Sequence, residues 1–132
     1  MAGSSSGAVQ RARNSVVQGP RRYRQEETPM FARNASFRLK SITMSSVYAQ
    51  RMENEILPLL RKQKGFVGEL ALANPGSMER IAISLWESRA DAEAYDANTY
   101  PQVLKILATT VEARPVVHTY EAVTTTFPDG AA

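Results

Sequence analysis

Proton chemistry near neutral pH has one obvious candidate in this chain. His118 is its single histidine, and histidine is the only side chain whose ordinary pKa lies in that range. Such a base suits removal of an acidic proton from a small molecule. Trp86 offers an indole N–H and a broad ring for stacking. Tyr48 and Tyr95 offer hydroxyls. Arg38 offers a guanidinium able to clamp a phenolate or carboxylate. Each also has a plain structural role open to it: His118 satisfied by strand neighbours or solvent, Trp86 filling space at a strand end, the tyrosines packing a core, Arg38 pairing with Glu69 or touching a second protomer. With no cysteine in the chain, disulfides, thiol redox chemistry, iron–sulfur clusters and thiolate zinc sites are excluded. One histidine does not build a histidine-rich metal site.

The 132 residues suit one domain. With 43% hydrophobic and 22% charged residues, the chain reads as globular. The formal net charge of +3 is local: residues 1–29 hold five arginines against Glu26 and Glu27, and the remainder balances 11 basic with 11 acidic residues. The folded part therefore has no net field to steer nucleic acid or lipid headgroups. Residues 1–29 lack apolar periodicity and are expected to be a disordered basic tail. Arg21-Arg22 is followed by no apolar stretch, so neither a twin-arginine nor a secretory signal is read. No run approaches the roughly 18 apolar residues of a membrane span. Met30, just before the first structured segment, is an alternative start, and a cytoplasmic location is expected. The domain is expected over residues 30–127, with residues 128–132 frayed.

Alternation at Ala35, Phe37 and Leu39 predicts a strand over residues 35–41 with one apolar face. Ser45 or Ser46 offers an N-cap. Tyr48, Met52, Ile56 and Leu59/Leu60 recur at helical spacing to about Gln63. Pro58 denies Asn54 its helical hydrogen bond and predicts a kink or second piece, and Gly65 ends the helix. A strand over Phe66–Ala73, a type II turn at Asn74-Pro75-Gly76-Ser77 and a strand over Met78–Glu87 follow. In the last of these, Ile81, Ile83 and Leu85 are read as facing the helices, and Arg80, Ala82, Ser84 and Trp86 as facing away. Ser88 with Asp91 resembles a capping box. A helix runs to about Ala97, breaks at Asn98-Thr99, and restarts with Pro101 in its first turn. Val116–Thr125 is a final strand.

Strand, helix, strand, strand, helix, strand is the ferredoxin-like βαββαβ order. It predicts an α+β fold: a four-stranded antiparallel sheet with both helices on one face. The other face, expected to carry Arg38, Ala71, Ala82, Ser84 and Trp86, is too apolar to face water. A homodimer whose sheets stack into one barrel would cover it.

The run Gly65-Phe66-Val67-Gly68-Glu69-Leu70, then Ile83-Ser84-Leu85-Trp86-Glu87-Ser88, with Tyr95 and the Asn98-Thr99-Tyr100-Pro101 break, resembles the antibiotic biosynthesis monooxygenase family of dimeric α+β barrels. The resemblance spans residues 33–125. It implies a small cytoplasmic monooxygenase that needs no cofactor and acts on an aromatic or quinol-like substrate. His118 would then be the base, Trp86, Tyr95 and Tyr48 substrate contacts, and Arg38 an anion clamp. The alternatives are a non-catalytic small-molecule-binding or stress-associated dimer, and a small isomerase. The haem-degrading branch places a tryptophan where Tyr95 stands and the haem histidine where Lys105 stands. Its strand asparagine has only Asn34 as a counterpart, in phase with Ser36 and Arg38, so haem chemistry is disfavoured.

RNA-recognition domains share this element order, and Lys64-Gly65-Phe66-Val67 superficially matches their aromatic motif. That motif belongs on the third strand, where this chain has Ile81, Ile83 and Leu85 instead of stacking aromatics. The expected partners are a second copy of the chain and a small molecule, with neither nucleic acid nor membrane.

Overall fold

The computed structural model describes residues 30–126 and the backbone of Arg21–Arg22. Strand β1 is Arg21–Arg22 and β2 is Phe31–Arg38. A 3-10 turn at Ile42–Met44 leads into α1 (Ser45–Arg51), a π-helical segment at Met52–Ile56, and α2 (Leu57–Arg61). Then come β3 (Phe66–Ala73), β4 (Glu79–Trp86), α3 (Arg89–Asn98), α4 (Tyr100–Leu107), β5 (Val116–Glu121) and β6 (Thr124–Thr125). The main sheet has the antiparallel order β3-β4-β2-β5, with the helices on one face. This is the expected ferredoxin-like α+β architecture.

Local signals in the sequence fix most boundaries. Helix α2 ends at Arg61 with Lys62 as its C-cap, earlier than the expected Gly65. Gly65 takes a φ of +80° in the turn closed by Phe66 N–H on the Gln63 carbonyl at 3.3 Å, a conformation glycine adopts without Cβ strain. A Cβ there would run into the Asp91 carboxylate. Gly76 has a φ of +76°, and Ser77 N–H donates to the Asn74 carbonyl at 2.9 Å, closing the turn between β3 and β4. The backbone N–H of Asp91 donates to Ser88 Oγ at 3.1 Å and starts α3. Thr99 separates α3 from α4, and Pro101 sits in the first turn of α4.

The first helix differs at its start. Neither serine caps it: α1 grows directly out of the 3-10 turn, and Ser45 Oγ instead accepts from Arg80 Nη2 at 3.0 Å. Pro58 does segment the helix. Before it, Leu57 N–H donates to the Met52 carbonyl five residues back, the π pattern.

The strand registers overturn the expected facing of β4. Phe31 pairs with Trp86, Arg33 with Ser84, Ala35 with Ala82 and Phe37 with Arg80. Trp86, Ser84, Ala82 and Arg80 therefore face the helices with the buried side of β2, and Ala71 joins them opposite Ala82. Ile81, Ile83 and Leu85 face away. The helix-free face thus holds those three with Leu70, Leu72, Val116, His118, Tyr120, Asn34 and Arg38. It is more aliphatic than expected, and a sheet apolar on both sides gives alternation no polar face to read.

The tail expectation meets one correction. Arg21–Arg22 pairs antiparallel with Thr124–Thr125, a backbone ladder too short to leave a side-chain period. The rest of residues 1–29, and the frayed end at residues 128–132, lie outside the described residues.

Gly65→Ala is expected to destabilise the protein by about 2 kcal/mol or more, through positive φ and the clash with Asp91. Gly68→Ala has open space around the new methyl and should change stability by less than about 1 kcal/mol. Urea denaturation of the two variants measures the difference.

Candidate functional site

Three neighbouring strands contribute one polar row to the helix-facing side of the sheet. Arg33 of β2 lies opposite Ser84 of β4, and Ser84 lies opposite Glu69 of β3. Helix α3 lays Tyr95 and Asp96 beside this row, and α4 begins with Tyr100. A void of about 30 Å3 remains between sheet and helices. Arg33, Glu69, Ser84, Tyr95 and Tyr100 line it together with Ala35, Phe37, Met52, Ile56, Leu60, Ala82, Val103, Leu107 and Pro115. It has room for one or two waters. A separate open cleft of about 370 Å3 lies outside it, between α3 and β5.

Arg33 dominates the electrostatics. It is 3% exposed. Its Nη2 donates to Asp96 Oδ1 at 2.7 Å, and its guanidinium carbon stands 3.9 Å from the Tyr100 ring centroid and 5.2 Å from that of Tyr95. Its Nε has no partner among the described residues, nor do the buried hydroxyls of Tyr48 and Tyr100. Burial pushes the Glu69 carboxyl up to about 7, and the Arg33 charge pulls the other way. Burial likewise raises the Tyr48 hydroxyl to about 12, with Glu69 adding to the effect, and raises Tyr95 further. Both phenols stay protonated at neutral pH and can only donate to an anion. The interior thus combines a carboxyl that titrates near neutrality, a fixed cation and phenolic donors within an apolar enclosure. That set can take a proton from a bound molecule and hold the resulting anion.

The sequence candidates separate across the sheet. Tyr95 lines the void. Tyr48 is buried against Phe37, with ring centroids 5.5 Å apart. Trp86 is 0% exposed, and its Nε1 donates to Ser84 Oγ at 2.9 Å. Its rings pack on Phe66 and Tyr95, so it supports the site from behind with its N–H already committed. His118 stands exposed on the helix-free face opposite Asn34, across the sheet from the void. Arg38 is on that face too, and its ion pairs are with Glu79 at 3.6 Å and Glu112 at 3.7 Å, not with Glu69. Among the described residues no three metal-ligating side chains of histidine, cysteine or carboxylate type come together. None of the described helices is long and apolar enough to cross a membrane.

Arg33 and Glu69 were not among the sequence candidates. The signal for Arg33 was its phase: it is two residues before Ala35 and four before Phe37, a charge on an apolar stripe. Glu69 is likewise in phase with Ala71, but the pairing register that joins the two is not encoded in any local pattern.

No family model matches the sequence, and no curated protein matches it. Solved structures do match in fold. The monooxygenase ActVA-Orf6 of Streptomyces coelicolor, solved with nanaomycin D, superposes with a TM-score of 0.61 at 11% identity, over 71% of this chain and 88% of that one. SnoaB of Streptomyces nogalater, a cofactor-independent oxygenase, gives 0.56 at 14% identity, over 72% and 94%. NE2512 of Nitrosomonas europaea, of unknown function, gives 0.64 at 16% identity, over 77% and 97%. The chain has the fold of the antibiotic biosynthesis monooxygenases, and at these identities the likeness is one of fold.

The displaced Glu69 titration has a stability signature. The ordinary value of the carboxyl is 4.5, and burial pushes it up to about 7 in the folded state. Between those values the folded state holds a proton that the unfolded state has released, so stability falls as pH rises through that window. Glu69→Gln removes the buried charge. It should stabilise the protein by up to about 3 kcal/mol at pH 8 and leave it unchanged below pH 4.5. Urea denaturation at both pH values measures this.

Proposed function

We propose that the protein is a monooxygenase of the antibiotic-biosynthesis type that oxidises a small aromatic or quinol-like molecule without a metal or flavin. The observation that carries the reading is the row Arg33–Ser84–Glu69 lining the void, with its near-neutral, half-buried carboxyl and a guanidinium Nε that has no partner among the described residues. The fold shared with ActVA-Orf6 and SnoaB supports it. Glu69 takes a ring or hydroxyl proton. Arg33 holds the anion, and Tyr95 and Tyr100 bound its space. The electron-rich anion reduces dioxygen: one oxygen atom bonds to the ring carbon and becomes the new carbonyl, and the other leaves as water with the two displaced hydrogens. Glu69, not His118, is the base in this reading, because Glu69 lines the void and His118 stands exposed on the helix-free face.

Oxygen uptake on a panel of naphthoquinols and anthrones tests the proposal. Wild-type kcat/KM should rise with pH through an apparent pKa near 7, the folded value for Glu69. Glu69→Gln should lose about 100-fold or more, and His118→Ala should keep the wild-type rate. No uptake on any member ends the reading for those substrates. Turnover of a substrate without oxygen consumption favours an isomerase.

The second reading, a non-catalytic dimer with a packed interior, has the size of the void behind it: about 30 Å3 is less than an aromatic ring needs. It predicts neither uptake nor binding of the panel.

The helix-free face supports the homodimer. Leu70 is 54% exposed, Leu72 42%, Val116 58% and Tyr120 56%, large apolar side chains on the two outer strands of a face that also carries Ile81, Ile83 and Leu85, and exposed apolar surface of this kind marks interaction sites. A second copy stacking the same face covers it by two-fold symmetry. Sedimentation velocity should give a dimer at micromolar concentration, and Leu70→Asp with Tyr120→Asp should weaken it at least tenfold. A monomeric wild type refutes this assembly.

A further inference from the structure

The interior void and the outer cleft share three lining residues: Arg33, Tyr100 and Pro115. They form a partition. Inside it, about 30 Å3 is too little for an aromatic ring; outside it, about 370 Å3 is enough. The carboxylate that holds Arg33 comes from the outer side. Asp96 has a side chain 57% exposed, whereas that of Arg33 is 4% exposed. The cleft also carries Arg114, which has no ion pair among the described residues, and Arg89, whose Nε is 3.8 Å from Glu93 Oε2. Three guanidinium groups therefore meet two carboxylates around an open space, and the buried guanidinium keeps an unused N–H.

We infer that this cleft is the antechamber of the proposed site and selects a flat aromatic anion, whose charged oxygens take the place of Asp96 on Arg33. The inference rests on the reading of the interior as the reaction site and names its substrate class. A guanidinium prefers two parallel hydrogen bonds to a carboxylate, and Asp96 takes one, from Nη2. An incoming arylcarboxylate can meet Nε as well as Nη2. Drawing Arg33 outward removes the partition, so the void and cleft join and the ring reaches Glu69. Arg114 adds attraction for the same charge from the rim.

Anaerobic calorimetric titration separates this from turnover. The probes are 1,4-dihydroxy-2-naphthoate and uncharged 1,4-dihydroxynaphthalene, at pH 8 and low salt. Wild type should bind the naphthoate at least about tenfold more tightly. Asp96→Asn, which deletes the competing charge at an exposed position, should tighten naphthoate binding several-fold and leave the neutral probe unchanged. Arg114→Ala should weaken the naphthoate alone. Equal affinity for the two probes, no binding of either, or weaker naphthoate binding by Asp96→Asn overturns the inference. Charge-selective binding without oxygen uptake keeps the antechamber and removes the oxygenase. Uptake with no charge preference does the reverse.

Discussion

A guanidinium held between a sheet and two helices is the constraint around which the interior is arranged. Arg33 is almost wholly out of water, and a charge so placed costs several kcal/mol unless its surroundings answer it. The answer comes from one short stretch of chain. Tyr95 and Asp96 lie in the last turn of α3, Tyr100 begins α4, and all three meet the guanidinium. The break at Thr99 makes this possible, because a continuous helix would carry Tyr100 away from Tyr95 along its axis. The Ser88 cap and Pro101 thus have an electrostatic consequence some distance from either residue: they set where one helix starts, where the next begins, and how both surround the cation.

The same cation explains why Glu69 is neither an ordinary surface acid nor a fully neutral one. Burial disfavours its charge and Arg33 favours it, with burial the larger effect. The opposed influences leave the carboxyl near the pH at which a base is most useful. Moving Arg33 changes that balance, since the charge that restrains the carboxyl is the one an anionic ligand would neutralise. A ligand that occupies Arg33 therefore also makes Glu69 a better proton acceptor. Substrate binding and base strength are coupled through one side chain.

Local chemistry was legible in the sequence and face assignment was not. The type II turn, the positive-φ glycine before β3, the Ser88 cap and the paired helices after it all rest on residues within a few positions of one another. The facing of β4 rests on which of two apolar sets meets the helices, and Ile81-Ile83-Leu85 outweighs Ala82-Ser84-Trp86 by aliphatic bulk. Bulk misled because the helix-free face is also apolar. Register decides: Arg33 against Ser84, Ser84 against Glu69. Trp86, expected as a substrate contact, spends its N–H on Ser84. His118 stands out in the sequence by intrinsic pKa, a property of the residue type. Glu69 acquires its pKa from burial, a property that only the fold confers.

The first helix shows how a backbone irregularity serves this interior. Tyr48, Met52, Ile56 and Leu60 are spaced by four, and all are buried. In a regular α-helix each such step overshoots a full turn by about 40°, so the stripe would drift off the sheet over three steps. The π segment at Met52–Ile56 winds more slowly and takes some of that drift back. Pro58, which cannot donate to Asn54, stands just after it, where the α pattern was already going to fail. The irregularity therefore costs one imperfect turn and keeps four side chains on one face. The two central ones, Met52 and Ile56, wall the void together with Leu60. Methionine is the more compliant of the pair, which makes the wall opposite the polar row the part of the enclosure best able to give way when a ring enters.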